Sequence, residues 1–171
     1  MTDTVLLMAD YSAEILAATD RSLIEQMLDT QRAEIAALLD GVTDEEARAS
    51  LVPSLTTLLG LVKHAAFAER VWWGHRVDGR LREAVGIPNT IDDSFRLSDD
   101  DTITSLLTDF ETACEESRRI AADHPDLAET FPWRFGPVSL GFIYLHMIQE
   151  YARHCGHGDI LREQVAAQRA D

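Results

Sequence analysis

Four stretches of the chain, each about twenty to thirty residues long, carry apolar residues at three- and four-residue spacing. A face that recurs every 3.6 residues must be buried against another such face, so these stretches dictate helix packed on helix. The first, residues 20–40, sets Leu23, Met27, Leu28, Gln31, Ile35, Leu38 and Leu39 near one side. Asp20 stands as its N-cap and Gly41 follows its last turn. The second starts after Pro53 with Ser54 as cap and runs to about residue 78, before Gly79. The third spans 101–122 on a stripe of Ile103, Leu106, Leu107, Phe110, Cys114 and Ile120, stopped by His124 and Pro125. The fourth begins near Pro137 and continues to Gln168.

Alternating runs with hairpin turns are nearly absent, so the fold class expected is all-α, a four-helix bundle over residues 20–168. The links fall at 42–53, 79–98 and 123–136. The middle one is too long for a tight hairpin and predicts a long crossover connection between helices two and three. Residues 1–19 are expected to be an N-terminal arm or a short extra helix.

Charge narrows the partners. The net charge is -15 in 171 residues, which repels phosphate backbones and anionic lipid, so neither nucleic acid nor membrane is an expected partner. No apolar run reaches the length of a membrane span. The first residues lack a basic region and carry Asp3, Asp10 and Glu14, unlike a secretory signal. Two cysteines, Cys114 and Cys155, fit a reducing, cytoplasmic setting. There is no CxxC, no Gly-rich phosphate loop, no motif around any serine and no sustained heptad. A homodimer is compatible with such a bundle, but nothing in the sequence marks its interface.

The polar exception lies in the fourth stretch. "LHMIQEYARHCGHGDILRE" concentrates half of the chain's six histidines, His146, His154 and His157, with Glu150 among them. At roughly 100° per residue all four share one narrow face. Glu150 and His154, four residues apart, rise from adjacent turns and can converge on one cation, whereas Cys155 points away. A partner must come from another helix. His64 is the best candidate, because it shares a face with Leu61, Ala68 and Val71. His75, near its helix end, and His124, in a loop, are less suited. From spacing alone two readings stay open: a metal site, or buried histidines satisfied by hydrogen bonds to Glu150. Gly156 and Gly158 cost helix stability and so point to close helix approach, ligand access or a kink. Trp72, Trp73, Trp133, Arg76 and Arg134 read first as packing and solvated surface.

Two pieces, "VPSLTTLLGLVKHAAFAERVWW" and "LHMIQEYARHCGHGDILRE", resemble the DinB-like superfamily of metal-binding four-helix bundles, in its actinobacterial mycothiol-transferase-like branch. The resemblance implies a divalent metal held by His64, Glu150 and His154, with zinc first and nickel or iron as alternatives. The glutamate-then-histidine order is similar to that of the mycothiol-dependent maleylpyruvate isomerase type. His157 stands where many relatives have glutamine, as a fourth ligand or an outer partner, and His146 is a further outer candidate. The activity implied is detoxifying S-transfer: a low-molecular-weight thiol, mycothiol or similar, attacks a small electrophile. The alternatives are a metal-dependent hydrolase and a non-catalytic, stress-related metal-binding bundle.

Overall fold

Asp20 opens the first helix of the computed structural model, which describes residues 20–169; the expected arm at 1–19 lies outside them. The Asp20 carboxylate accepts from the Ser22 amide and caps helix α1, Arg21–Ala37. A short helix α2, Asp44–Arg48, follows within the 42–53 link, where the sequence predicts only a connection. Its signature is a capping box: the Thr43 hydroxyl accepts from the Glu46 amide, and the Glu46 carboxylate accepts from the Thr43 amide. Helix α3, Leu58–Glu69, begins later than expected because Thr57, rather than Ser54, caps it by accepting from the Gly60 amide. Helix α4 is Ile103–Ala122, capped by Thr102. A two-residue antiparallel pair, β1 (Thr130–Phe131) with β2 (Val138–Ser139), precedes helix α5, Leu140–Gln168. That pair displaces the expected start at Pro137: the chain first finishes a hairpin, and then Ser139 caps the helix.

The described residues are all-α with this one small hairpin. Helix α1 packs on α5, α3 packs on α4, and α3 also meets α5, closing a four-helix bundle. Between the second and third long helices the chain crosses over through residues 78–102, with one 3-10 turn at Asp92–Ser94. Among the described residues, no helix is long and apolar enough to cross a membrane.

Two features went unread in the sequence. Helix α3 does not end at Glu69 but continues as a π-helix, Arg70–Val77. The wider turn changes the residue phase and lets the adjacent Trp72 and Trp73 both be buried. The second is a buried ionic network. Arg32, rather than the expected Gln31, occupies the inner face of α1 at 6% exposure. Its guanidinium donates through Nε and Nη2 to the two oxygens of Glu69, each at 2.8 Å, and Glu69 is 0% exposed. The Tyr151 hydroxyl, from α5, also meets Glu69 Oε1 at 2.8 Å. One carboxylate thus ties α1, α3 and α5 together in an otherwise apolar core.

The two glycines of α5 separate cleanly. A Cβ on Gly158 would lie 2.4 Å from Leu38 Cδ2, so this glycine is where α1 and α5 approach closely. A Cβ on Gly156 would meet nothing within 4 Å. Gly158→Ala is therefore expected to destabilise the fold by about 1–3 kcal/mol through overpacking. Gly156→Ala should stabilise it by up to about 1 kcal/mol, since alanine is the better helix former. Urea denaturation of the two variants checks the opposite signs.

Candidate metal centre

Helices α3 and α5 run side by side, and each turns a polar residue into the seam between them. His64 sits mid-way along α3, at 5% exposure, among Leu61, Ala65 and Ala68. Glu150 and His154 lie one turn apart on α5, with His154 at 8% exposure. Glu150 Oε1 is 3.2 Å from His154 Nε2 and 3.5 Å from His64 Nε2. The three donor atoms all lie within 4.8 Å of one another, and among the described residues this is the one such group of histidine, cysteine, aspartate and glutamate side chains.

The donor set fits a divalent cation. Metal bonds of about 2.0–2.1 Å in a tetrahedron place neighbouring ligand atoms roughly 3.3 Å apart, and the two distances from the Glu150 carboxylate to the imidazole nitrogens, 3.2 and 3.5 Å, bracket that value. Two imidazoles and one carboxylate leave coordination positions open, as catalytic rather than closed structural sites do. His154 Nδ1 is buried with no hydrogen-bond partner among the described residues.

The crossover supplies the wall that the sequence did not reveal. The Ser94 hydroxyl lies 2.7 Å from His64 Nδ1, and the Phe95 ring stacks on the His64 ring at 4.1 Å and 11°. The loop reaches α3 closely because position 60 has no side chain: a Cβ there would meet the Phe95 carbonyl oxygen at 3.1 Å. Lys63 reinforces the seat by donating to the Arg96 carbonyl at 2.9 Å and to Asp101 at 2.6 Å.

The remaining sequence candidates sit around this cluster. His157 is exposed, its ring 5.8 Å from that of His154. His146 lies one turn before Glu150, packed 4.7 Å from Trp72 and stacked on Phe142. His75 meets the Arg80 carbonyl and His124 meets Glu129, so neither joins the cluster. Cys155 is free and half-buried, burial pushes its thiol up to about 12, and it does not join the cluster. Arg76 donates to the Pro132 carbonyl, while Arg134 lies over the Trp133 and Phe135 rings. Trp72 and Trp73 are buried in the core, the packing role expected for them.

Burial lowers the His64 pKa from its ordinary value of 6.5, in spite of the nearby Glu150 charge. Contacts with His154 first and His64 second hold the Glu150 carboxyl well below the usual carboxylate range. Both shifts act in the same direction. The unfolded chain binds protons more readily than the folded one below pH 6.5 at His64, and below 4.5 at Glu150. Metal-free protein is therefore expected to lose stability as pH falls through 6.5, and to lose more below 4.5. His64→Phe should flatten the upper part of that profile. Thermal denaturation between pH 8 and pH 4 measures it.

A cavity of about 550 Å³ is lined by Lys63, Phe67, Arg70, Ile87, Ser94 and Asp109 and does not touch the three converging side chains. A smaller one of about 270 Å³, lined by Val52, Thr56, His157, Ile160 and Leu161, is largely apolar and reaches the cluster's flank through His157.

Fold and site together define a helical-bundle protein with a His–Glu–His candidate metal centre in the seam between two helices. The family model for mycothiol-S-transferase matches residues 23–167, and the chain belongs to that family. That agrees with the DinB-like, mycothiol-transferase resemblance of the two sequence pieces. No curated protein gives a significant match.

Proposed function

We propose that the chain is a metal-dependent thiol S-transferase that joins mycothiol, or a closely similar thiol, to a small electrophile. The observation that carries this reading is the convergence of His64, Glu150 and His154 in a member of the mycothiol-S-transferase family. These three residues would hold a divalent cation, zinc first, with nickel or iron as alternatives. When bound, such a cation lowers the pKa of a thiol, so that sulfur is available as thiolate at neutral pH.

The chain's own residues set the rest. Glu150, held ionised, would offset part of a bound cation's charge, so that a thiol sulfur activated there would stay nucleophilic. Buried His64 stays neutral and able to ligate near neutral pH. Phe95 walls one side of His64 against water, and the apolar cavity beside His157 offers room for the electrophile. In the reaction the thiol would give up its proton to solvent, a sulfur–carbon bond would form, and the electrophile's leaving group or opened ring would take the displaced electron pair.

Cobalt-substituted protein tests this against the hydrolase alternative. Addition of a low-molecular-weight thiol is expected to produce a sulfur-to-cobalt charge-transfer band in the near ultraviolet that Glu150→Gln lacks. A spectrum indifferent to thiol, together with activity on an ester or amide, would favour metal-activated water instead.

A further inference from the structure

His64 has two ring nitrogens, and only one can serve a cation in the seam. The other lies against Ser94, a residue of the crossover that is 2% exposed. The roles in that contact follow from the next bond along. The Ser94 hydroxyl is also within hydrogen-bond reach of the Ile91 carbonyl oxygen, which can only accept. A hydroxyl has one proton, so the Ser94 proton goes to Ile91. In that arrangement its oxygen is left to accept, with His64 Nδ1–H as the donor. The same assignment leaves the neutral ring's Nε2, 3.5 Å from Glu150 Oε1, as the nitrogen open to a cation.

We propose that Ser94 is a positioning residue for the metal centre: through the chain from the Ile91 carbonyl to the Ser94 hydroxyl to His64 Nδ1–H, it fixes the imidazole in the tautomer that presents Nε2 to the cation. The inference rests on the metal reading above and deepens it. Outer partners of this kind set ring orientation and ligand basicity in metal sites. Here the partner comes from neither ligand-bearing helix. It belongs to the 3-10 turn Asp92–Ser94, in the long crossover between α3 and α4. That turn is itself held in place: the Thr90 hydroxyl accepts from the Asp93 amide, and Lys63, the neighbour of His64, reaches the Arg96 carbonyl. The crossover thereby sets which nitrogen of His64 can ligate, as well as covering the site. Without the Ser94 oxygen, Nδ1–H has no other acceptor among the described residues, and the neutral ring gains by moving its proton to Nε2, where Glu150 accepts it. That is the tautomer that blocks ligation.

The test needs a readout that does not pass through catalysis. In metal-free protein labelled with nitrogen-15 on histidine, long-range proton–nitrogen spectra at about pH 8, where the ring is neutral, report the tautomer directly. Wild type and Ser94→Thr, which keeps the hydroxyl, should show His64 as Nδ1–H, and Ser94→Ala should show it as Nε2–H. In chelator competition Ser94→Ala should bind zinc about 10–100-fold more weakly, with Ser94→Thr restoring most of the loss. An Nε2–H tautomer in the wild type would overturn the proposal, as would zinc affinity unchanged in Ser94→Ala. If Ser94→Ala does not fold, the wild-type tautomer alone decides. Failure of the metal reading has a different signature: wild type would show the Nδ1–H tautomer and still take up no zinc.

Discussion

Glu69→Ala is expected to cost about 3–5 kcal/mol of folding stability, the largest single effect in the core, because it strands a buried guanidinium. Arg32 is 6% exposed and spends Nε and Nη2 on Glu69, with Nη1 turned outward to Asp29 at 2.8 Å. Removing the carboxylate leaves a positive charge in an apolar interior and takes away the closer of two acceptors of the Tyr151 hydroxyl, which keeps the Ala65 carbonyl at 3.1 Å. For a domain whose total stability is about 5–15 kcal/mol, such a loss brings it close to unfolding. The pair itself is not expected to be strongly stabilising, since both charges were stripped of water to make it. The double variant Arg32→Met/Glu69→Leu should recover most of what Glu69→Ala loses. Urea denaturation with a common slope measures both; a Glu69→Ala variant within about 1 kcal/mol of wild type would contradict the account.

Glu150→Gln carries the second large expectation, a loss of divalent-metal affinity greater than the about 100-fold that marks removal of an outer partner. The amide keeps the shape of the side chain while discarding the charge that sits 3.2 Å and 3.5 Å from the two imidazole nitrogens. His157→Ala provides the contrast. Its ring is exposed and outside the converging group, so its removal should weaken metal binding less than tenfold, at about 1.4 kcal/mol or under. Chelator competition on the two variants separates them. Equal losses would make His157 a ligand in its own right.

The bundle was readable in the sequence because helical periodicity and end signals act locally. Asp20 caps α1 and His124-Pro125 follows the end of α4, as their residue types require. The Thr43-to-Glu46 capping box was equally local and could have been read; the short helix it starts was hidden by the expectation of a plain link. What periodicity could not supply were residues whose placement depends on partners far along the chain. Nothing near Arg32 or Glu69 in sequence distinguishes them from surface charges, because each is buried only through the other, 37 positions away. The π-helical turn after Glu69 is a tertiary accommodation that helical periodicity and end signals do not mark.

The candidate site divides the same way. Glu150 and His154 were legible as an i, i+4 pair, and His64 as a histidine on an apolar stripe; the structure brings all three together. Ser94 and Phe95 were not legible, since they come from the irregular crossover and meet His64 only after the chain has crossed the bundle. Gly60 was their one local trace, a small residue one turn before His64 that lets the loop approach. His146 shares the histidine face yet packs against Trp72 and Phe142, because one helical turn carries it past the seam's polar segment into its aromatic end.

The central claim is that His64, Glu150 and His154 hold a cation, and metal content tests it most directly. Untagged wild-type protein, Glu150→Gln and His154→Ala would be analysed side by side by plasma mass spectrometry after exposure to zinc and to nickel, followed by desalting. The account requires about one equivalent of divalent metal per chain in the wild type and its loss from both variants. A wild type that retains no metal, or variants that retain as much as the wild type, would contradict it and leave these histidines as structural members of a helical bundle.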